Sequence, residues 1–232
     1  MMGNLSLFGG QNHCPGFGGR LLAILVGGLA CFLPLVARAV EPQAVAFNEV
    51  LKIGDAAPDW SKLTGIDGHE HALAEYAASE VVVLVFTCVT CPTAADYEAR
   101  IQALIQTHGQ IPAGQDHPRV RVIAINSNQG EADSLAAMTA HAQARKFAYP
   151  FLADPSQSVA RAYGALTTPQ FFVLDKERRV AYQGAMDDNS EPAQAKENYV
   201  TAAVESLLGG KEVIKTSEPP RGCRIKFARV KR

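Results

Sequence analysis

Hydrophobic and polar residues alternate in blocks along the middle of the chain, and each block predicts one element of secondary structure. Residues 81–86 and 120–126 are almost continuously apolar and rich in valine and isoleucine, as is typical of strands buried on both faces of a sheet. Between them, apolar residues recur at intervals of three to four over residues 94–107, which indicates a helix with one buried face. A strand–helix–strand unit is therefore expected at the centre of the fold.

The second half of the chain continues this alternation and ends in a hairpin followed by a helix. Residues 170–174 and 180–184 predict two strands joined by a turn, and residues 60–71, with their glycines and aspartates, predict a hairpin or loop. The other predicted elements are helices at residues 73–78, 133–146, 155–163 and 192–208 and a short extended segment at residues 150–152. This order predicts an α/β fold with a central mixed β-sheet flanked by helices on both faces.

The amino-terminal segment has the pattern of a secretory leader. Arg20 precedes an apolar run at residues 21–37, which ends in Ala37-Arg38-Ala39, with small residues at the −3 and −1 positions of a signal-peptidase site. We predict a signal peptide over residues 1–39, a mature amino terminus at Val40 and a periplasmic or secreted protein. The alternative is an uncleaved membrane anchor, since the run is close to the lower limit for a bilayer span. Only in that case would the protein contact a membrane.

Composition and charge fit one exported domain, predicted over residues 44–210, followed by a basic tail over residues 211–232. The full chain has 22 basic and 23 acidic residues. The leader contains two arginines and no acidic residue, so the mature protein keeps 20 basic and 23 acidic residues. This balance gives no global basic bias for nucleic acid. A core of this size needs no disulfide to hold it together.

Cys88 and Cys91 are the candidate catalytic residues. They lie three positions apart, directly after the first apolar strand and directly before the first helix. A helix amino terminus carries about half a positive charge, which favours the thiolate, the nucleophilic form of cysteine. We expect Cys88 to lie at the open helix end, to have the more strongly lowered pKa and to attack, while Cys91 resolves. The pattern predicts thiol–disulfide redox chemistry.

Other uses of these cysteines fit the sequence less well. A disulfide that closes so short a loop constrains the unfolded chain little, so a purely structural pair gains little stability. A zinc site of four cysteines needs a second pair, and a c-type haem site needs a histidine where Pro92 stands. We therefore predict no metal and no cofactor. Of the other three cysteines, two lie in the leader, and Cys223 in the tail is a candidate third redox cysteine.

Six short motifs are spread along the chain. They are Phe86-Thr87-Cys88-x-x-Cys91-Pro92, Tyr97-Glu98-x-Arg100-Ile101, Ala124-Ile125-Asn126-Ser127-Asn128, Thr168-Pro169-x-Phe171-Phe172, Asp187-Asp188-Asn189 and Gly222-Cys223-Arg224-Ile225-Lys226. Together they resemble the thioredoxin-fold redoxins, and more closely the peroxiredoxin-like subgroup of the alkyl hydroperoxide reductase/thiol-specific antioxidant family. The likeness of the domain covers residues 50–208.

This resemblance implies a thioredoxin-like fold and a binding role for two further residues. In the family, the proline that follows a threonine or similar residue is cis and faces the active-site sulfurs. Thr168 and Pro169 match this position, which implies that Pro169 shapes a substrate groove and that the Thr168 backbone pairs with an extended substrate peptide. The implied partner is a protein disulfide substrate or a redox donor.

The resemblance leaves two other functions open. Peroxiredoxins of the family reduce peroxides with one cysteine, a Thr or Ser three residues before it and an Arg held near the site. Cys91 stands at the peroxidatic position, but Cys88 replaces the Thr or Ser, and Thr167-Thr168 replaces the Arg. We therefore favour disulfide exchange over a thiol peroxidase that uses Cys91. The third alternative is a redox-inert binding module of the same fold, which would show no titratable disulfide.

Overall fold

The computed structural model describes residues 47–228, and the leader predicted over residues 1–39 lies outside them. The strands are β1 (Leu63–Gly65), β2 (Glu70–His71), β3 (Val81–Phe86), β4 (Val120–Asn126), β5 (Phe151–Ala153), β6 (Thr167–Thr168), β7 (Gln170–Leu174), β8 (Val180–Gly184), β9 (Ser217–Glu218) and β10 (Cys223–Arg224). The α-helices are α1 (Pro92–His108), α2 (Leu135–Arg145), α3 (Ser158–Tyr163) and α4 (Tyr199–Leu208). Short 3₁₀ turns lie at Leu73–Tyr76, Glu131–Asp133 and Pro192–Gln194.

Eight of these strands form one mixed sheet with β3 at its centre. The order is β2-β1-β5-β4-β3-β7-β8-β9, while β10 pairs with β6 in a separate ladder. β3 runs parallel to β4 and antiparallel to β7, so that Leu84 lies opposite Ile123 on one side and Phe172 on the other. All six residues of β3 are buried, because both faces of the sheet are covered.

The alternating side chains of β3 divide the core into two layers. Val83 and its alternate neighbours face a layer that contains the buried faces of α1, α2 and α4. Leu84 and its alternate neighbours face α3 and the segment before β1, where Trp60 and Tyr163 pack. The predicted α/β fold, a mixed sheet with helices on both faces, is therefore confirmed.

Three helices begin later than the sequence pattern predicts. α3 begins at Ser158 and not at residue 155, and side-chain caps set the start of the other two. α2 begins after Ser134, whose side chain accepts the N–H of Ala137 at 3.3 Å, and not at Asp133. α4 begins after Asn198, whose side chain accepts the N–H of Thr201 at 2.9 Å, whereas residues 192–194 form only a 3₁₀ turn. In both cases a side-chain cap fixes the start, as expected for serine and asparagine.

The predicted basic tail contains two strands that the sequence analysis missed. β9 adds to the sheet parallel to β8, and β10 runs antiparallel to β6. Ile225, just after β10, is only 6 % exposed and belongs to the core layer around Trp60. Within residues 47–228, no helix is both long and apolar enough to cross a bilayer.

Candidate active site

The two motif cysteines lie between β3 and α1, and Cys91 is the residue that caps the helix. Its sulfur accepts a hydrogen bond of 3.3 Å from the N–H of Ala94, and Pro92 occupies the first helical position. Proline suits that position because its fixed φ matches a helix and an N–H there would have no helical partner. The expectation that Cys88 lies at the helix end was therefore wrong, because the helix begins directly after Cys91.

Both motif sulfurs are buried beside Thr168. Cys88 is 4 % exposed and Cys91 is 2 % exposed, and Cys223 packs against the small cluster that they form. The Cys88 sulfur lies 3.5 Å from the Thr168 hydroxyl oxygen. In its thiol form, Cys91 donates to the Thr168 carbonyl oxygen at 3.1 Å. The structure thus brings together Cys88, Cys91, Cys223 and Thr168.

The pKa values of the two motif cysteines are shifted in opposite directions, down for Cys91 and up for Cys88. Hydrogen bonding between the two thiol groups lowers the pKa of Cys91, and this effect exceeds the opposing effect of burial. Cys223, Thr168 and the Ala94 N–H lower it further. The hydrogen bond to Cys91, followed by burial, raises the pKa of Cys88. The direction of these two shifts is opposite to the order expected from the sequence.

Thr168 is joined to Pro169 by a cis peptide bond, as the sequence resemblance implies. Thr168 is the residue of this pair that contacts both motif sulfurs through its hydroxyl and carbonyl groups. Its backbone edge is paired with β10, in which Cys223 lies directly opposite Thr168. The edge assigned to a substrate peptide is thus occupied by the tail of the chain itself.

A model of the AhpC/TSA family matches residues 53–183, more than half of the chain, and the match includes both motif cysteines and Thr168. The chain belongs to the AhpC/TSA family. It is accordingly an oxidoreductase, and its fold is the thioredoxin-like fold that the motifs resemble. A search of curated proteins found no match.

Solved structures with the same fold align over most of this AhpC/TSA domain. A hypothetical protein from Sinorhizobium meliloti 1021 is 34 % identical, with a TM-score of 0.68 over 78 % of this chain and 97 % of that one. An uncharacterized conserved protein from Geobacillus kaustophilus is 28 % identical, with a TM-score of 0.70 over 79 % and 96 %. The peroxidoxin BcpB from Mycobacterium tuberculosis, 18 % identical, shares the fold with a TM-score of 0.50 over 71 % and 99 %.

The hydrogen-bond partners of the motif sulfurs, within the part of the chain that the structure describes, include no basic side chain. Among residues 47–228, no Lys, Arg or His side chain hydrogen-bonds to Cys88 or Cys91. Their hydrogen-bond partners are hydroxyl, carbonyl, N–H and thiol groups. In the same part of the chain, no group of three or more His, Cys, Asp and Glu side chains has the arrangement of a metal site.

Asp133 holds the loop between the two motif cysteines, a role that the sequence analysis missed. Its carboxylate accepts the N–H groups of Val89 at 2.8 Å and Thr90 at 3.2 Å, and also the Thr90 hydroxyl at 2.7 Å. Its charge also contributes to the raised pKa of Cys88. The sequence pattern places Asp133 at the start of the helix predicted over residues 133–146, since nothing local shows that it reaches a loop more than 40 residues earlier.

We expect Asp133→Asn to lower the pKa of Cys88, because the amide keeps the size of the side chain and removes its charge. The measurement is the rate of alkylation by iodoacetamide against pH in protein that carries C91S and C223S, with and without D133N. The midpoint should move to lower pH with D133N. The exposed Asp116→Asn serves as the control and should leave it in place. A midpoint that is unchanged or higher in D133N would contradict the assignment.

Proposed function

We propose that the protein is a thiol–disulfide oxidoreductase in which Cys91 attacks and Cys88 resolves. The observation that carries this proposal is the position of Cys91 at the amino terminus of α1, where its sulfur accepts the Ala94 N–H. Thiolates are the nucleophiles in disulfide exchange, and a lowered pKa of Cys91 favours its thiolate form. The proposal reverses the order of attack expected from the sequence.

The first step is attack by the Cys91 thiolate on one sulfur of a substrate disulfide. A mixed disulfide forms at Cys91, and the other substrate sulfur leaves as a thiolate with the electron pair of the broken bond. The Cys88 thiol keeps its proton up to this point, because its hydrogen bond to the Cys91 thiolate favours the neutral form. It is therefore a poor nucleophile until Cys91 has reacted.

The second step closes the disulfide of the motif. Once Cys91 is in a mixed disulfide it no longer carries a negative charge, so the effect that holds the proton on Cys88 is lost. The departing substrate thiolate takes that proton, and Cys88 attacks the Cys91 sulfur. The Cys88–Cys91 disulfide forms and the second substrate thiolate leaves, so the substrate is reduced by two electrons and the motif is oxidised by two.

A thiol peroxidase that uses Cys91 is the second candidate function. The observation that favours it is the same helix-capping position, because peroxide reduction also needs a cysteine thiolate. The surroundings favour it less, since no basic side chain of the described residues contacts the sulfur to stabilise charge on a departing oxygen.

A single-turnover assay separates the two functions. The fully reduced protein is mixed with equal concentrations of either a disulfide-linked peptide or hydrogen peroxide, and the loss of protein thiols is followed. We expect the disulfide to react at least about tenfold faster. Among the described residues, no cationic side chain contacts the sulfurs to stabilise the departing oxygen of a peroxide. Faster reaction with peroxide would support the peroxidase instead, and reaction with neither would support an inert binding module.

We also propose that this chemistry takes place outside the cytoplasm. The apolar segment at residues 21–37, with Ala37-Arg38-Ala39 after it, supports export. Disulfide exchange on structural disulfides is typical of such oxidising compartments. Amino-terminal sequencing of the processed protein should then begin at Val40, and a chain that keeps residues 1–39 in the membrane fraction would instead be anchored.

A further inference from the structure

The C-terminal strand β10 lies on the backbone edge next to the reactive sulfurs. It pairs antiparallel with β6, so that Cys223 faces Thr168 and Arg224 faces Thr167. The ladder continues beyond the strand, because the N–H of Ile225 donates to the Leu166 carbonyl at 2.9 Å. An extended segment of the chain thus occupies the position that a substrate peptide would take on the edge of this strand.

The tail approaches Thr168 so closely that position 222 requires glycine. A Cβ on Gly222 would lie 2.0 Å from the Thr168 carbonyl oxygen, well inside any real contact, and Gly222 has a φ of +155°. Side chains larger than hydrogen at this position would therefore push β10 away from Thr168. The contact places Cys223, the next residue, over the site.

Buried polar side chains anchor the segment that follows β10. Gln157, 1 % exposed, donates to the Lys226 carbonyl at 2.9 Å and accepts the N–H of Ala228 at 2.7 Å. Asn128 accepts the N–H of Lys226 at 3.2 Å. These hydrogen bonds and the buried side chain of Ile225 hold the tail in a specific position against the domain.

The docked strand β10 places a third thiol, that of Cys223, next to the two motif cysteines. Cys223 is half-buried and packs against the cluster of Cys88 and Cys91. Cys91 therefore has two thiol neighbours, one from its own motif and one from the tail.

We propose that the C-terminal strand is an internal substrate of the site, and that Cys223 exchanges with the Cys88–Cys91 disulfide to form a Cys91–Cys223 disulfide. This inference rests on the proposed function, which supplies the Cys88–Cys91 disulfide. The strand is a tethered occupant of the peptide-binding edge, and a substrate peptide must displace it to reach Cys91.

The exchange step needs no external oxidant. Cys223 loses its proton and attacks the Cys91 sulfur, forming the Cys91–Cys223 bond. The Cys88–Cys91 bond breaks, and Cys88 leaves with its electron pair and takes up the proton that Cys223 released. One disulfide is consumed and one is made, so the protein keeps its oxidation state while the tail becomes covalently held over the site.

Peptide mapping tests this proposal directly. Trypsin cleaves after Lys62, Arg100, Arg221 and Arg224, so Cys88 and Cys91 lie on peptide 63–100 and Cys223 lies on peptide 222–224. Reduced protein is treated with oxidised glutathione, free thiols are blocked with N-ethylmaleimide, and the digest is analysed without reduction. We expect linked peptides 63–100 and 222–224 in wild type and in C88S. The link should form at least about tenfold more slowly in C91S, where the neighbouring thiol is missing.

Two glycine variants separate docking of the strand from simple proximity of thiols. Gly222→Ala keeps every cysteine and should slow the link in C88S at least about tenfold, because the added Cβ displaces the strand. Gly210→Ala is the matched control. Its glycine also has a positive φ, but a Cβ there has nothing within 4 Å, so the rate should not change.

Absence of the link in C88S, or equal rates in C88S and C91S, would overturn the proposal. An unchanged rate in Gly222→Ala would overturn the role of the docked strand. These outcomes differ from failure of the proposed function. The link in C88S needs only Cys91 and Cys223, whereas the proposed function fails if wild type does not reduce a disulfide peptide through Cys88 and Cys91.

Discussion

Cys91→Ser is expected to lower the rate of disulfide reduction by at least about a thousandfold, because it removes the attacking sulfur. The comparison is made in protein that also carries C223S, so that the tail thiol does not take part. Serine keeps the size of the side chain and can still cap α1 through its oxygen. The loss would therefore report on the nucleophile and not on the start of the helix. Steady-state reduction of a disulfide-linked peptide, with dithiothreitol as the electron source, gives the rate.

Cys88→Ser in the same background is expected to stop turnover at a later point. The first attack by Cys91 remains, so one equivalent of substrate thiol is released in a burst and the mixed disulfide accumulates. Far-ultraviolet circular dichroism and the thermal midpoint of both variants provide the folding control. A burst from C91S and none from C88S would reverse the assigned roles.

Asp187→Ala is expected to cost about 3–5 kcal/mol in the free energy of unfolding, because it leaves the positive charge of Arg100 without its buried partner. The Asp187 side chain is 1 % exposed and forms an ion pair with Arg100 of α1. It also accepts the Tyr97 hydroxyl at 3.1 Å. Burial, with the carboxylate adding to it, raises the pKa of Tyr97 to about 12, so this hydroxyl remains a donor at neutral pH.

Arg100 extends this network into the loop after β8. Its guanidinium donates to the Asn189 carbonyl at 2.9 Å and to the Ser190 carbonyl at 2.5 Å, which ties α1 to residues 189–190. Urea unfolding of Asp187→Ala gives the free-energy change, with the exposed Asp116→Ala as a surface control that should leave the midpoint unchanged. A change of less than about 1 kcal/mol for Asp187→Ala would show that the pair is no more than a surface ion pair.

The central strands and the layers that cover them could be predicted from the sequence because their signals are local. β3 is a continuous apolar run, and β4 is nearly one. Both faces of β3 are buried, as that composition predicts. The 3–4 spacing of apolar residues likewise identified α1, whose observed range Pro92–His108 extends the predicted helix by a few residues. Such patterns predict the type of an element and its buried face. The residues at which the element begins and ends depend on the capping residues.

The chemistry of the site was harder to predict, because it depends on contacts between distant residues. Both cysteines were identified, but their roles depend on which one caps α1, and that depends on where Pro92 starts the helix. The pairing of Cys223 with Thr168 joins residues 55 positions apart, and the tail has no strand pattern long enough to indicate it. Asp133 was missed for the same reason.

The most direct test of the account is to identify which sulfur first carries the substrate. Reduced C88S/C223S and C91S/C223S proteins each keep one motif cysteine, and each is mixed with excess disulfide peptide and quenched with acid at increasing times. Intact mass then reports the fraction of protein that carries a peptide. We predict fast and nearly complete adduct formation in C88S/C223S, and slow formation in C91S/C223S, because the lone thiol that remains there does not cap α1. Fast adduct formation at Cys88 with little or none at Cys91 would contradict the account.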